Sequence, residues 1–327
     1  QYLSQHSIYT EQDRKFRFLR DKCLGPARYD SIMETMIDNS SLNQEMLFEK
    51  LWMDNECLLE LKNLGHIVGL HSYSHPTEMI ALSAERQRRE YTKNFYHLKQ
   101  VLGINLISVS HPCNSYDTTT LGILRDLGIK FVHISTDHLF DGTQSFVSEE
   151  ASPKPLNAYG YSKALGEEGV LQNNKEALIV RCNFFTWGPS YRLSFSDFVY
   201  NNLSNGQPIT LADDVYYTPV LAQNLIDAIF ALLTKDASGI FNVVGSERLS
   251  KYEFGMKMAD IFNHSSDSIK KGSWSSLGAT AIRPSDMSLS DCKLRKFLGY
   301  DLGSSKQNIQ DLKALMSTKL FNKVKSL

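Results

Sequence analysis

The sequence predicts an α/β fold with parallel strands. Three observations carry that expectation. Short apolar runs of strand length alternate with longer segments whose apolar residues recur every three or four positions. Glycines such as Gly65 and Gly128 stand where those helical segments should stop. Polar residues gather just past the carboxyl ends of the apolar runs, where parallel sheets place ligands.

The elements follow in order. "NQEMLFEKLWMDNECLLELKNLG" (43–65) has helical spacing and ends at Gly65. "HIVGLH" (66–71) reads as a short strand, a helix follows from about Ser83 to Val101, and "INLISVSHP" (104–112) reads as a second strand closed by Pro112. "TTTLGILRDLG" is a helix stopped by Gly128, and "KFVHIS" (130–135) a third strand. The alternation then continues: a helix from Tyr159, the strand "ALIVRCNFF" (177–185), the helix "FSDFVYNNLSNG" and the strand "PITLA". The helix "LAQNLIDAIFALLTK", the strand "GIFNVVG" and the helix "SKYEFGMKMADIFN" complete it before a mixed tail. No Gly-, Ser- or Pro-rich linker and no internal repeat divides the chain, so any boundary lies within packed structure.

Of the 327 residues, 42% are hydrophobic and 22% charged, the balance of a globular protein. A formal net charge of -1 offers no field for nucleic acid or an anionic membrane surface. No apolar run is long enough to span a bilayer. The first residues, "QYLSQHSIYTEQDRKFRFLRD", lack the apolar core of a signal peptide, and residue 1 is not Met. The five cysteines, Cys23, Cys57, Cys113, Cys182 and Cys292, form no C-x-x-C pair. They read as free or buried thiols in a reducing, cytoplasmic setting.

Two stretches carry chemistry. In "GLHSYSHP", His71 and His75 stand four apart with Pro76 next. A residue before Pro avoids helical angles, so both imidazoles belong to a loop at a strand end. Two such rings suit zinc or a similar divalent metal, although catalytic zinc takes three protein ligands. H-x-x-x-H alone is equally compatible with structural histidines. In the second stretch, "FVHISTDHLFDG" runs an apolar strand into Ser135, Thr136 and Asp137, and "AYGYSK" sets Tyr159 and Lys163 four apart on one helix face. An ammonium beside a phenol makes the phenol a better proton donor. A hydroxyl at Thr136 or Ser135 could hold a substrate oxygen nearby. Y-x-x-x-K by itself is also what an ordinary surface helix yields.

The wider wording is more specific. "LGHIVGLHSYSHPTEM" followed by "SHPCNSYDTTTLGILRDLGI" resembles the later part of polysaccharide deacetylases of the carbohydrate esterase type, over roughly residues 40 to 130. That resemblance implies a partial (β/α)-barrel-like fragment with His71 and His75 as metal ligands. The family's acidic pair, which supplies the third ligand and the base, has no counterpart: Asp38 and Asp54 lie in helical or polar context, and His111 stands where many relatives carry Arg. From Phe131 to about residue 315, "ISTDHLFDG", "PLNAYGYSK", "IVRCNFFTWG", "YYTPVLAQNLIDAI", "GIFNVVGSERLSKYEFG" and "IRPSDMSLS" occur in the order found in extended short-chain dehydrogenases. They most closely resemble the dTDP-4-dehydrorhamnose reductases.

This second resemblance implies a partial Rossmann-like parallel sheet with a reductase substrate domain. It implies reduction of a 4-keto group on a nucleotide-linked deoxysugar by NADPH or NADH, for surface polysaccharide synthesis. Tyr159 would be the proton donor, and Lys163 would hold the nicotinamide ribose. Thr136 and Asp137 would position the keto sugar, with Ser135 near the cofactor. Arg283 would face the nucleotide phosphates, although a structural ion pair is equally open to it. The glycine-rich turn that receives the pyrophosphate, G-x-x-G-x-x-G, is absent from the sequence.

The expected organisation is therefore a deacetylase-like portion over 1–130 joined to a reductase-like portion over 131–327, each without its own N-terminal part. Impaired catalysis follows. A metal-dependent deacetylase, or a non-catalytic fusion remnant or binding protein, are the alternatives. Truncated parallel sheets expose unpaired edges, and a homo-oligomer is one way to cover them.

Overall fold

A computed structural model describes residues 10–41, 43, 45, 53–106, 108–277 and 282–326. The chain divides into two compact units, Gln1–Lys130 and Phe131–Leu327.

The described part of the first unit is helical. Helices α1 (Glu11–Phe18), α2 (Pro26–Asp38) and α3 (Asn55–Asn63) precede the longest one, α4 (Ala84–Leu102), and α5 (Thr118–Asp126) packs along it. Helix α4 forms because Tyr91, Phe95, Leu98 and Leu102 fall on one stripe, all buried. Ser83 caps its start by accepting from the Arg86 N–H, and Gly103 ends it in the left-handed region at φ 63°. The stripe packs with Leu70, Met79, Leu106, Ile123, Leu124 and Ile129 into a single core.

The two strands expected at 66–71 and 104–112 are not formed. In their place stands one isolated parallel bridge, Leu70 to Val109, in which Leu70 N–H donates to Ser108 O and Ser110 N–H to Leu70 O, both at 2.9 Å. Two short segments with no third neighbour among the described residues close two hydrogen bonds and stop, so the described residues form no closed barrel. The expected helix over 43–65 is described only from residue 53 on, apart from residues 43 and 45. Its middle, 46–52, lies outside the described residues, as do residues 1–9.

The second unit is built on a three-stranded parallel sheet of β1 (Val132–Ile134), β2 (Leu178–Arg181) and β7 (Gly239–Asn242), in that order. Registers run Val132 to Leu178 and Leu178 to Gly239. Strand β2 is central and fully buried, which explains its unbroken apolar run. The helix α6 (Ala158–Asn173) connects β1 to β2, the crossover that parallel pairing requires. The expected single strand over 177–185 is interrupted: β3 (Phe184–Phe185) leaves the sheet and pairs instead with β6 (Val220–Leu221). The break falls at Cys182 and Asn183, where the chain changes partner.

Helix α7 (Phe195–Ser204), strand β4 (Ile209–Ala212) and strand β5 (Tyr216–Tyr217) lie between β3 and β6. Then come α8 (Ala222–Thr234), β7, β8 (Leu249–Ser250), α9 (Lys251–Phe262) and β9 (Ile269–Gly272), with α10 (Cys292–Leu298), α11 (Ser305–Leu315) and α12 (Lys319–Lys325) at the end. One core joins the sheet to α8 and α10 through Leu178, Val180, Leu225, Leu232, Phe241 and Leu294. A second core, around Trp187, Val199, Leu211, Tyr217, Phe254 and Met258, holds the smaller paired strands.

The entry to α7 is fastened by one carboxylate. Asp197, buried, accepts from Gly188 N–H at 2.7 Å, Ser194 N–H at 2.9 Å and Ser194 Oγ at 2.8 Å, and ion-pairs with Lys325. Burial opposes its ionisation, but the Lys325 ammonium and the Ser194 and Gly188 donors outweigh it and hold the carboxyl below its ordinary value. A depressed carboxylate contributes stability above the unfolded value and loses it as pH falls through the folded one. Asp197→Asn is therefore expected to lower unfolding stability by about 1–3 kcal/mol at neutral pH. In urea titrations the deficit should shrink below about pH 4. An unchanged deficit in acid would show that the ionised form is not what matters.

Candidate functional site

The carboxyl end of β1 turns directly into Ser135, Thr136 and Asp137, all buried. Ser135 N–H still donates to Val180 O at 2.7 Å, the last rung of the β1–β2 ladder, while its Oγ is buried without a partner. Thr136 Oγ1 lies 3.3 Å from Asp137 Oδ1, and Asn183 Nδ2 donates to Asp137 Oδ2. Asn183 can reach because it stands at the point where the chain leaves β2 for β3. Burial pushes the Asp137 carboxyl up, against the pull of His138, the Asn183 amide, Lys251 and the Thr136 hydroxyl.

Helix α6 brings the Tyr–Lys pair to this end of the sheet. Asn157 caps it by accepting from Gly160 N–H at 2.8 Å, which fixes where its first turn begins. Tyr159 is 55% exposed, open to a ligand, and its ring meets the edge of His138 at 5.6 Å. Lys163 Nζ donates to Ile134 O at 2.5 Å, tying the helix to β1. The His138 Nδ1 atom is buried without a partner, and burial holds the ring below its ordinary value.

Residues from the second core complete the cluster. Lys251, the first residue of α9, places its ammonium 3.5 Å from the Tyr217 ring centre and 4.6 Å from that of Phe195. Burial pushes it down to about 7, with Asp137 opposing and Arg283 adding to the effect. Arg283 lies 4.4 Å over the Trp274 ring and within electrostatic reach of Asp137 and Tyr217. Among the described residues its guanidinium makes no ion pair closer than that electrostatic contact. Thr136, Asp137 and Arg283 thus share one cluster, with Tyr159 joined to it through His138. Asn183, His138, Tyr217 and Lys251 were not singled out by the sequence. The only signal was the polar Asn183 interrupting an apolar run.

His71 and His75 lie in the first unit. Their ring centres are 4.8 Å apart, and His71 Nδ1 is 2.9 Å from Ser110 O. Ser72 and His75 take left-handed backbone angles, φ 63° and 54°, which are strained for such residues. Glu90 braces the same loop by accepting from Tyr73 N–H and Ser74 N–H at 3.0 and 2.7 Å. His111 Nδ1 is 2.8 Å from Tyr91 Oη, and burial, with Glu90 nearby, pushes that phenol up to about 12. Among the described residues no three His, Cys, Asp or Glu side chains are grouped to hold a metal.

A nicotinamide dinucleotide, which this kind of site implies, finds only part of its seat. The orphaned Ser135 hydroxyl and the Tyr159/Lys163 helix suit the nicotinamide end. At the other side, β1 forms the edge of its sheet among the described residues, and no strand, glycine turn and helix precede it within the second unit. The pyrophosphate therefore has no backbone cradle among the described residues of that unit.

A parallel sheet with this polar cluster and a Tyr–Lys helix at its carboxyl end defines an extended short-chain dehydrogenase type of protein. The profile of the RmlD substrate binding domain matches residues 122–317, more than half of the chain, and the chain belongs to that family. The profile of the polysaccharide deacetylases matches residues 34–132, so the protein joins parts of two families.

Among curated proteins, the chain is 30% identical over 197 residues to the probable low-salt glycan biosynthesis reductase of Haloferax volcanii, covering 59% of this chain and 65% of that protein. It is also 30% identical over 178 residues to the methionine adenosyltransferase 2 subunit beta of Xenopus laevis, covering 52% and 53%. Among solved structures, a hypothetical dTDP-4-dehydrorhamnose reductase from Sulfolobus tokodaii is 34% identical, with a TM-score of 0.51 over 57% of this chain and 65% of that one. The NADP complex of the Bacillus anthracis dTDP-4-dehydrorhamnose reductase shares the fold, with a TM-score of 0.55 at 19% identity over 80% and 85% of the two chains. The chain thus spans less than two thirds of the length of the first relatives it matches. Among the described residues, no helix is long and apolar enough to cross a membrane.

Proposed function

We propose that this chain is a sugar-nucleotide reductase-like protein that retains the substrate side of the site and is impaired in taking its nicotinamide cofactor. Its ligand is a nucleotide-linked sugar with a 4-keto group, of the kind used in surface polysaccharide synthesis. The Tyr159 phenol donates to the keto oxygen, and the Thr136 hydroxyl, held by Asp137, positions the sugar beside it. Asp137, fixed by Asn183, sets the orientation of Thr136, and Lys163 keeps α6 against β1. Arg283 faces the nucleotide phosphates. NADPH or NADH would supply the hydride; among the described residues of the second unit β1 is an edge strand with no glycine turn before it, and that observation supports the reading of an impaired cofactor seat.

The domain assignment belongs to the same proposal: 1–130 deacetylase-like, 131–327 reductase-like. A deacetylase activity at His71 and His75 is less well supported. Two imidazoles fall short of the three ligands of a catalytic zinc, and the nearby Glu90 carboxylate is engaged by the Tyr73 and Ser74 N–H groups.

Calorimetric titration of the purified chain tests the reading. dTDP-glucose is expected to bind saturably with Kd of roughly 10–500 µM, while NADPH and NADH give no saturable heat up to about 1 mM. Tight binding of either dinucleotide would overturn the impairment. Absence of any nucleotide-sugar binding by a chain that melts cooperatively would overturn the ligand class.

A further inference from the structure

The cluster at the carboxyl end of β1 carries more positive charge than its own acids balance. Lys251 approaches from α9 and Arg283 from the tail, each stacked on an aromatic face rather than paired with a carboxylate among the described residues. Asp137 is the carboxylate within electrostatic reach of both. That carboxylate already accepts from Asn183 Nδ2 and Thr136 Oγ1. The other titratable groups facing Lys251 and Asp137 are His138, Tyr217 and the Cys182 thiol, all of which burial keeps neutral. Two cations therefore share one carboxylate in a site walled by Tyr217, Phe195 and Trp274.

Aromatic faces return about 0.5–2 kcal/mol to a desolvated cation, less than a hydrogen-bonded anion does. Such a site is unfinished until an anion arrives. We propose that Lys251 joins Arg283 in seating the diphosphate of the nucleotide-linked sugar, and that Lys251 takes up a proton as the anion binds. The inference rests on the sugar-nucleotide reading and adds to it a second phosphate-binding residue and a pH dependence.

The sign follows from the position of Lys251. Burial holds its ammonium down to about 7, so the free protein near neutrality is a mixture of charged and neutral forms. A bound diphosphate favours the charged form. Affinity is then greatest below about pH 7 and falls as pH rises and protonating Lys251 becomes harder. dTDP-glucose is the probe, because its diphosphate diester keeps a constant charge from about pH 6 to about pH 8.5.

The wild-type protein is expected to lose about tenfold in affinity across that range. Proton uptake should appear as binding heats that differ between buffers of different ionisation enthalpy. Lys251→Met should bind weakly at every pH, with a flat profile. Lys251→Arg, always charged, should bind tightly with an equally flat profile, and it carries the test should the Met variant fail to fold. A wild-type affinity independent of pH would overturn the role of Lys251 while leaving the ligand class standing. So would a Lys251→Arg profile that falls like the wild type. Failure of the wild type to bind dTDP-glucose at any pH would remove both.

Discussion

Glu167→Ala is expected to destabilise the second unit by about 3–5 kcal/mol. Arg181, the last residue of β2, is 1% exposed in the middle of the sheet. Its guanidinium is met by Glu167 through Nε at 3.0 and 3.2 Å and through Nη2 at 2.7 Å, with Nη1 3.4 Å from Glu149 O. The Phe140 ring lies 5.4 Å from the guanidinium carbon. Removing the carboxylate leaves a buried cation with one long contact to a carbonyl, and that uncompensated charge, more than the lost bonds, sets the size of the effect. The pair itself adds little net stability, since desolvation offsets most of its attraction. The double variant Glu167→Leu with Arg181→Met should therefore recover most of the loss. Urea unfolding of Glu167→Leu, Arg181→Met and the double variant gives the coupling. A Glu167→Ala variant within about 1 kcal/mol of wild type would show that water reaches Arg181 and that α6 is held some other way.

That possibility matters because α6 carries Tyr159 and Lys163. Its apolar residues do not collect on one side, and its buried positions are Gly160 and Glu167. An ordinary surface helix is held by a stripe of side chains; this one is held by specific contacts at Lys163 and Glu167. Little of that is visible in the sequence. "GEE" presents two adjacent acids, and only the position of Arg181 across the fold decides that Glu167 is buried while Glu168 faces solvent. Lys251 reads as a solvated charge at the start of a helix, yet the long-range approach of Tyr217 and Phe195 encloses it.

What was legible followed from local rules. The alternation of period, the glycine stops and the small polar residues after β1 all depend on neighbours in sequence. The helix at 84–102 has its stripe, its Ser83 cap and its Gly103 terminus within twenty-one residues, so local sequence is enough to place it. Errors arose where pairing decides. The apolar runs at 66–71 and 104–112 have strand composition but a single bridge between them. The run at 177–185 changes partner strand midway, which no local pattern encodes and which frees Asn183 to hold Asp137.

Gly160→Ala supplies the second large effect, and its direction is opposed to helix propensity. Alanine is favoured over glycine by roughly 1 kcal/mol in a helix interior. At Gly160, however, a Cβ would stand 2.3 Å from His138 O and 2.9 Å from Pro155 Cβ. The first of these is backbone, so the helix or the loop after β1 must move. Such overpacking typically amounts to about 1–3 kcal/mol, enough to outweigh the propensity gain. Gly169, in the same helix, has nothing within 4 Å of an added Cβ. Gly169→Ala should therefore be neutral or stabilising by up to about 1 kcal/mol, and it isolates the propensity term. The shift at Gly160 acts on the residue next to Tyr159 and on the carbonyl of His138, whose ring Tyr159 touches. Gly160→Ala is accordingly expected to weaken dTDP-glucose binding, while Gly169→Ala leaves it unchanged. Equal stabilities and equal affinities for the two variants would mean that α6 does not approach the β1 loop this closely in solution, and the assignment of Tyr159 to the keto oxygen would lose its geometric basis.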